Sequence, residues 1–193
     1  MGALVVPGWV IVDEAFGTIT FNNTFYFYLD DPLNRQIYRM KKVAYDTNYN
    51  HTSIINIEYI GGGTPLAIPP IPLSCDQTYL ASGITMTWVF ANDTRKTRTF
   101  VKAERNFYSQ TQCNNMFGPV CVGYGNPSMY CFDDESPFII RGSPLVSIDD
   151  AGAFQLLGAG LHYSCSTSTS SAAPRLVTYR AHIQQVTGAI CGS

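Results

Sequence analysis

Charge is what this 193-residue chain has least of. Asp, Glu, Lys and Arg make up 13% of it, against a usual share of roughly one quarter. The net charge of −2 leaves no basic surplus for a nucleic-acid footprint. No apolar run is long enough to span a bilayer as a helix. Histidine occurs only as His51, His162 and His182. No cluster has zinc spacing, and no Gly-rich phosphate loop precedes a helix. No metal and no cofactor are therefore expected, and no internal repeat is evident. A signal peptide is not evident at the start either. Residues 1–12 lack a basic leader and are interrupted by Pro7-Gly8, and Asp13-Glu14 stands where small residues should precede cleavage. Met1 reads as a start added to a mature or truncated chain.

What is present favours β-structure. Aromatics reach 13%, with 12 Tyr and 11 Phe, and 16 Gly and 11 Pro punctuate the chain. Aromatic and β-branched segments between such breaks point to an all-β protein. The six cysteines are an even number, which favours an oxidising compartment. Three sequons agree: Asn22-Asn23-Thr24, Asn50-His51-Thr52 and Asn92-Asp93-Thr94. The chain reads as secreted and extracellular, with Asn22, Asn50 and Asn92 as glycosylation sites.

Residues 3–12 read as two short strands around Pro7-Gly8. Residues 18–28, 83–91 and 97–107 read as further strands. Asp30-Asp31-Pro32 reads as a solvated turn, without the ligand pattern of a calcium loop. Residues 65–72 form an extended Pro-rich segment whose interspersed Ile and Leu need burial. Residues 138–146 are a turn feeding a buried strand, and Asp149-Asp150-Ala151-Gly152 is a hairpin turn into a strand over 153–161. Residues 174–179 read as another strand. A helix over 180–190 follows, with Tyr179, Ile183, Val186 and Ile190 along one face.

Several stretches recur in a telling order: Trp9-Val10, Asn48-Tyr49-Asn50, Ile55-Asn56-Ile57, Gly142-Ser143-Pro144-Leu145-Val146 and the cysteine pattern. Over residues 2–190 the chain resembles the chymotrypsin/trypsin-like serine proteases. The resemblance implies two packed, six-stranded-type antiparallel β-barrels and a short C-terminal helix. Residues 1–74 would form an incomplete N-terminal barrel, and 75–193 the C-terminal barrel with the helix. It also implies the bridges Cys75–Cys191, Cys113–Cys121 and Cys131–Cys165, and it places Met129 on the floor of the primary specificity pocket.

At the catalytic positions the resemblance carries over residue types that cannot do the chemistry. Ala15 stands at the histidine, Asn56 at the aspartate and Arg141 at the serine nucleophile. An amide cannot stabilise an imidazolium as a carboxylate does. Residues 132–140 also lengthen the turn whose backbone amides make the family's oxyanion hole. Aligned from Cys131 instead, Asp134 and Glu135 occupy the aspartate and serine positions, and again no serine is the nucleophile. Ser136 and Ser143 read as turn residues. His162 and Ser164 share a strand face, but no orienting acid lies nearby.

The expectation is a catalytically inactive serine protease homologue, a pseudoprotease, acting by protein binding as a cofactor, decoy or regulator of a proteolytic cascade. The alternative is an extracellular coat, matrix or silk-type protein on the same scaffold, which high Tyr and low charge would suit. The partner is another protein or cascade component. Because the family's first strand is not in the sequence, residues 2–6 are expected beside an open barrel edge, filled by a homodimer or an associated N-terminal fragment.

Overall fold

In the computed structural model, the described residues are 2–13, 24–27, 36–45, 52–65, 67–90, 98–117, 129–133, 142–160 and 170–191. Apolar residues at consecutive positions let the first strands bury both faces. Strand β1 (Gly2–Val6) turns through Pro7-Gly8 into β2 (Trp9–Asp13), pairing Ala3 with Ile11 and Leu4 with Val10. Gly8 sits at φ 81°, in the left-handed region that glycine enters without penalty. With β3 (Thr24–Phe27), β4 (Gln36–Tyr45) and β5 (Thr52–Tyr59), these strands form a five-stranded antiparallel sheet, ordered β1-β2-β5-β4-β3. Val10, Val12, Met40, Ile55 and Ile57 pack together on one face, joined by Leu4 and Tyr38.

The rest of the chain adds β6 (Ser82–Phe90), β7 (Arg98–Asn106), helix α1 (Gln110–Phe117), β8 (Met129–Asp133), β9 (Ser143–Ile148), β10 (Phe154–Gly160), β11 (Ser170–Pro174) and helix α2 (Arg180–Thr187). Strands β10-β9-β6-β7 form one sheet and β11-β8 another. Phe107 bridges to Phe132 on one side, and β10 packs against β11 on the other, so the two sheets join into a barrel. Tyr130, Phe132, Leu145, Leu157 and Ala173 fill it. The period of two is plain along β6: Ile84 and Met86 pack against the larger core, while Thr85 and Thr87 are buried on the opposite face.

The end of the Pro-rich segment reaches that larger core, where Ile71 packs against it half-buried. Ile71 N–H donates to the Leu4 carbonyl (2.8 Å), Leu156 N–H to the Pro72 carbonyl (2.8 Å) and Ser74 N–H to the Leu156 carbonyl (3.0 Å). Leu73, 2% exposed, packs with Ala3, Val5, Ile11 and Ile54 of the first sheet and with Val146 and Leu156 of the barrel. At Leu4, the partner on the side of β1 away from β2 thus comes from this same chain.

Two expectations change at the C-terminus. The strand lies over Ser170–Pro174, and Leu176–Tyr179 is a turn of 3-10 helix rather than strand. The buried side chain of Arg175, just after Pro174, is drawn inward to the carbonyls of Gln77 and Thr78. Helix α2 ends at Thr187 because Gly188 adopts φ 72° and returns its N–H to the Gln184 carbonyl. Ile190 therefore lies outside the helix and is 79% exposed, while Ile183 and Val186 pack into the core.

Two predictions follow from the barrel's second hairpin. A Cβ on Gly158 would meet the Pro174 carbonyl at 2.6 Å, where β10 approaches β11. Gly158→Ala should therefore cost about 1–3 kcal/mol. Gly62→Ala, whose Cβ meets nothing within 4 Å, should change stability by less than about 0.5 kcal/mol; urea unfolding compares the two. The second concerns Asp149, whose carboxylate accepts from the amides of Ala153 (2.8 Å) and Ala151 (3.0 Å). The Ala153 amide above all holds this carboxyl below the usual carboxylate range. Its contribution is present above the unfolded-state pKa of about 3.9 and is lost as pH falls through the lower folded value. Unfolding midpoints of wild type and Asp149→Ala should differ near pH 6 and begin to approach each other only below about pH 4, converging once the pH has passed under the lowered folded-state value.

Candidate functional site

The β2–β5 register sets Asn56 opposite Trp9, beside the Pro7-Gly8 turn. Its Nδ2 donates to the Gly8 carbonyl at 2.9 Å, and the backbone N–H of Ile57 donates to the same oxygen at 2.8 Å. Asn56, at the position the resemblance gives to the aspartate, thus works as a donor that ties β5 to the β1–β2 turn. A carboxylate there would bring its lone pairs against those of the carbonyl.

Ser143 opens β9 and is fully buried. Its Oγ donates to Thr87 Oγ1 at 3.0 Å, joining β9 to β6 inside the barrel. His182 lies half-buried on α2, next to Ile183, which packs into the larger core. Ala15, Arg141, Asp134, Glu135, Ser136, His51, His162 and Ser164 lie outside the described residues, as do Asp30, Asp31, Asn22, Asn50 and Asn92. Among the described residues, no group of three or more His, Cys, Asp or Glu side chains is placed to hold a metal ion.

The cysteines correct part of the expected framework. Cys75 and Cys191 are bridged, with Cα atoms 5.4 Å apart, tying the Pro-rich segment to the residue that follows the α2 turn. Cys113, however, bridges Cys131, also at a Cα separation of 5.4 Å. This replaces both Cys113–Cys121 and Cys131–Cys165. The reason is packing: α1 lies against β8, which brings Cys113 within bridging range of Cys131. Cys121 and Cys165 lie outside the described residues. Cys131 thus takes the helix-stapling role that the resemblance gave to Cys121. Met129, which the resemblance sets on the floor of the specificity pocket, is half-buried at the start of β8 and registered against Pro174.

Sequence reasoning passed over Arg175. It is 8% exposed, and its guanidinium lies 5.2 Å from the Tyr79 ring centre and 5.3 Å from that of Tyr130. Its Nη2 donates to the Gln77 carbonyl at 2.6 Å. Burial raises the Tyr79 phenol above its ordinary pKa, and its hydroxyl donates to the Tyr108 carbonyl. Arg175 thereby pins the chain before β6 onto β8. Nothing in the local sequence distinguishes it from a surface arginine.

These strands form the trypsin-like double β-barrel fold. A crystal structure of scabies mite inactivated protease paralogue S-D1 is similar to this chain with a TM-score of 0.68, over 97% of this chain and 86% of that one, at 16% identity. At that identity the likeness is one of fold. No family model matches the sequence, and no curated protein does.

The Asn56 geometry makes a prediction. Asn56→Asp exchanges the Nδ2 donor for a second acceptor facing the Gly8 carbonyl. It should cost about 1–3 kcal/mol, read by urea denaturation at neutral pH, and yield no peptidase activity. A variant as stable as wild type would show that the amide does not hold the turn.

Proposed function

We propose that this protein is a catalytically inactive serine protease homologue that works outside the cell by binding another protein, as a cofactor, decoy or regulator of a proteolytic cascade. One observation carries the reading: Asn56, at the aspartate's position, is a hydrogen-bond donor committed to the Gly8 carbonyl. A general-base histidine needs an orienting carboxylate there. The sequence adds Ala15 and Arg141 at the other two positions. The neighbouring fold, itself that of a protein named as inactivated, supports the same direction. Two disulfides fit an oxidising compartment, with Asn22, Asn50 and Asn92 as the glycan acceptors. A broad panel of peptide substrates tests the reading. Hydrolysis should stay at the buffer rate for every peptide. Turnover of any substrate that a serine-directed inhibitor abolishes would overturn it.

A further inference from the structure

At the end of β9 remote from Ser143 lies an open groove of about 710 Å³. It is framed by the start of β6, the ends of β7 and β9, and the chain around Cys75. Asp76, Glu104, Asp149 and Asp150 line it, and no Lys or Arg is among its described lining residues. Lys102, two residues before Glu104, is turned over the Phe154 ring, 5.0 Å from its centre. Apolar surface lies beside the acids: Ile84 lines the groove, and Ile148 is 52% exposed within it.

The acids are held in two ways. Asp76 caps the Thr78 amide (2.8 Å) and Asp149 its own hairpin turn, so both carboxylates are fixed in place before any ligand arrives. Glu104 and Asp150 are exposed at the rim. A concave surface lined by one sign of charge focuses its field and draws in the opposite charge. Exposed isoleucine beside carboxylates suits long cationic side chains, whose methylene stems rest on apolar surface while their heads reach the acids.

We infer that this groove binds a basic peptide segment of the partner protein, with Lys or Arg stems packed on Ile148 and their charged heads against Asp76, Glu104, Asp149 and Asp150. The inference rests on the reading that the scaffold works by binding protein, and it names the chemistry of what is bound. The experiment titrates the full chain with a short fluorescent Lys/Arg-rich peptide, with a Glu-substituted peptide as control, and follows anisotropy and peptide integrity together. Saturable binding at one peptide per chain is expected, weakening with salt. The double variant Glu104→Gln/Asp150→Asn should bind about tenfold more weakly. Ile148→Ser, which removes apolar contact without touching charge, should also weaken binding. No saturable binding, or equal binding by wild type and both variants, would overturn the inference. Equal displacement by spermine at matched charge concentration would overturn the assignment to a peptide, since the groove would then read charge alone. Cleavage of the bound peptide would instead contradict the inactive-homologue reading and leave the groove assignment standing.

Discussion

The architecture depends on one backbone exchange. Leu156 gives its N–H to Pro72 and receives the N–H of Ser74, while Ile71 reaches across to Leu4. The segment between the two halves of the chain is thereby a partner to both, bonded to β1 on one side and β10 on the other. Proline makes this economical, because its fixed φ leaves less backbone freedom to lose on ordering. Leu73, between Pro72 and Ser74, is then carried into the core shared by Val5, Ile11, Val146 and Leu156. The Cys75–Cys191 bridge fixes the end of this segment to the chain beyond α2, and Ile183 and Ala189 close the same core. Loosening that exchange would separate the two halves whose relative placement defines any cleft between them.

Within this frame, polar residues near the expected catalytic positions serve the fold. Asn56 holds a turn through Gly8. Ser143 is turned inward to Thr87, and on the same buried side of β6 Thr85 accepts from Arg105 Nε at 3.1 Å. Buried polar groups of this kind are costly unless partnered, so each constrains what can replace it. Among the described residues, exposed carboxylates gather at the other end of β9, where Glu104 and Asp150 face solvent.

Much of this was legible in the residues. Pro7-Gly8 and Asp149-Asp150-Ala151-Gly152 announced their hairpins through local turn chemistry, and both form, with Gly8 and Gly152 at positive φ. The interspersed apolar residues of the Pro-rich segment called for burial, and only in part find it: Ile71 packs half-buried against the core, while Pro65, Pro69 and Pro70 are exposed. The all-β architecture followed from the aromatic and β-branched segments between Gly and Pro breaks, while the double-barrel fold and the Cys75–Cys191 bridge came through the resemblance; these hold. The misreadings share a cause. Disulfide choice depends on which elements meet in space, and the packing of α1 on β8 leaves no mark in cysteine spacing. Leu176-Val177 is a short apolar run that suits a strand or a helical turn equally, and the inward pull on Arg175 decided it. The groove was invisible because its acids come from positions 76, 104, 149 and 150, which only the barrel's closure brings together.

The most direct test of the central claim, that this fold is maintained without a working nucleophile, is the intact mass of the folded protein after prolonged exposure to a fluorophosphonate. The account predicts a single unmodified species under conditions that fully label an active serine protease of the same fold. A stoichiometric adduct on any serine, lost when the protein is first denatured, would contradict it.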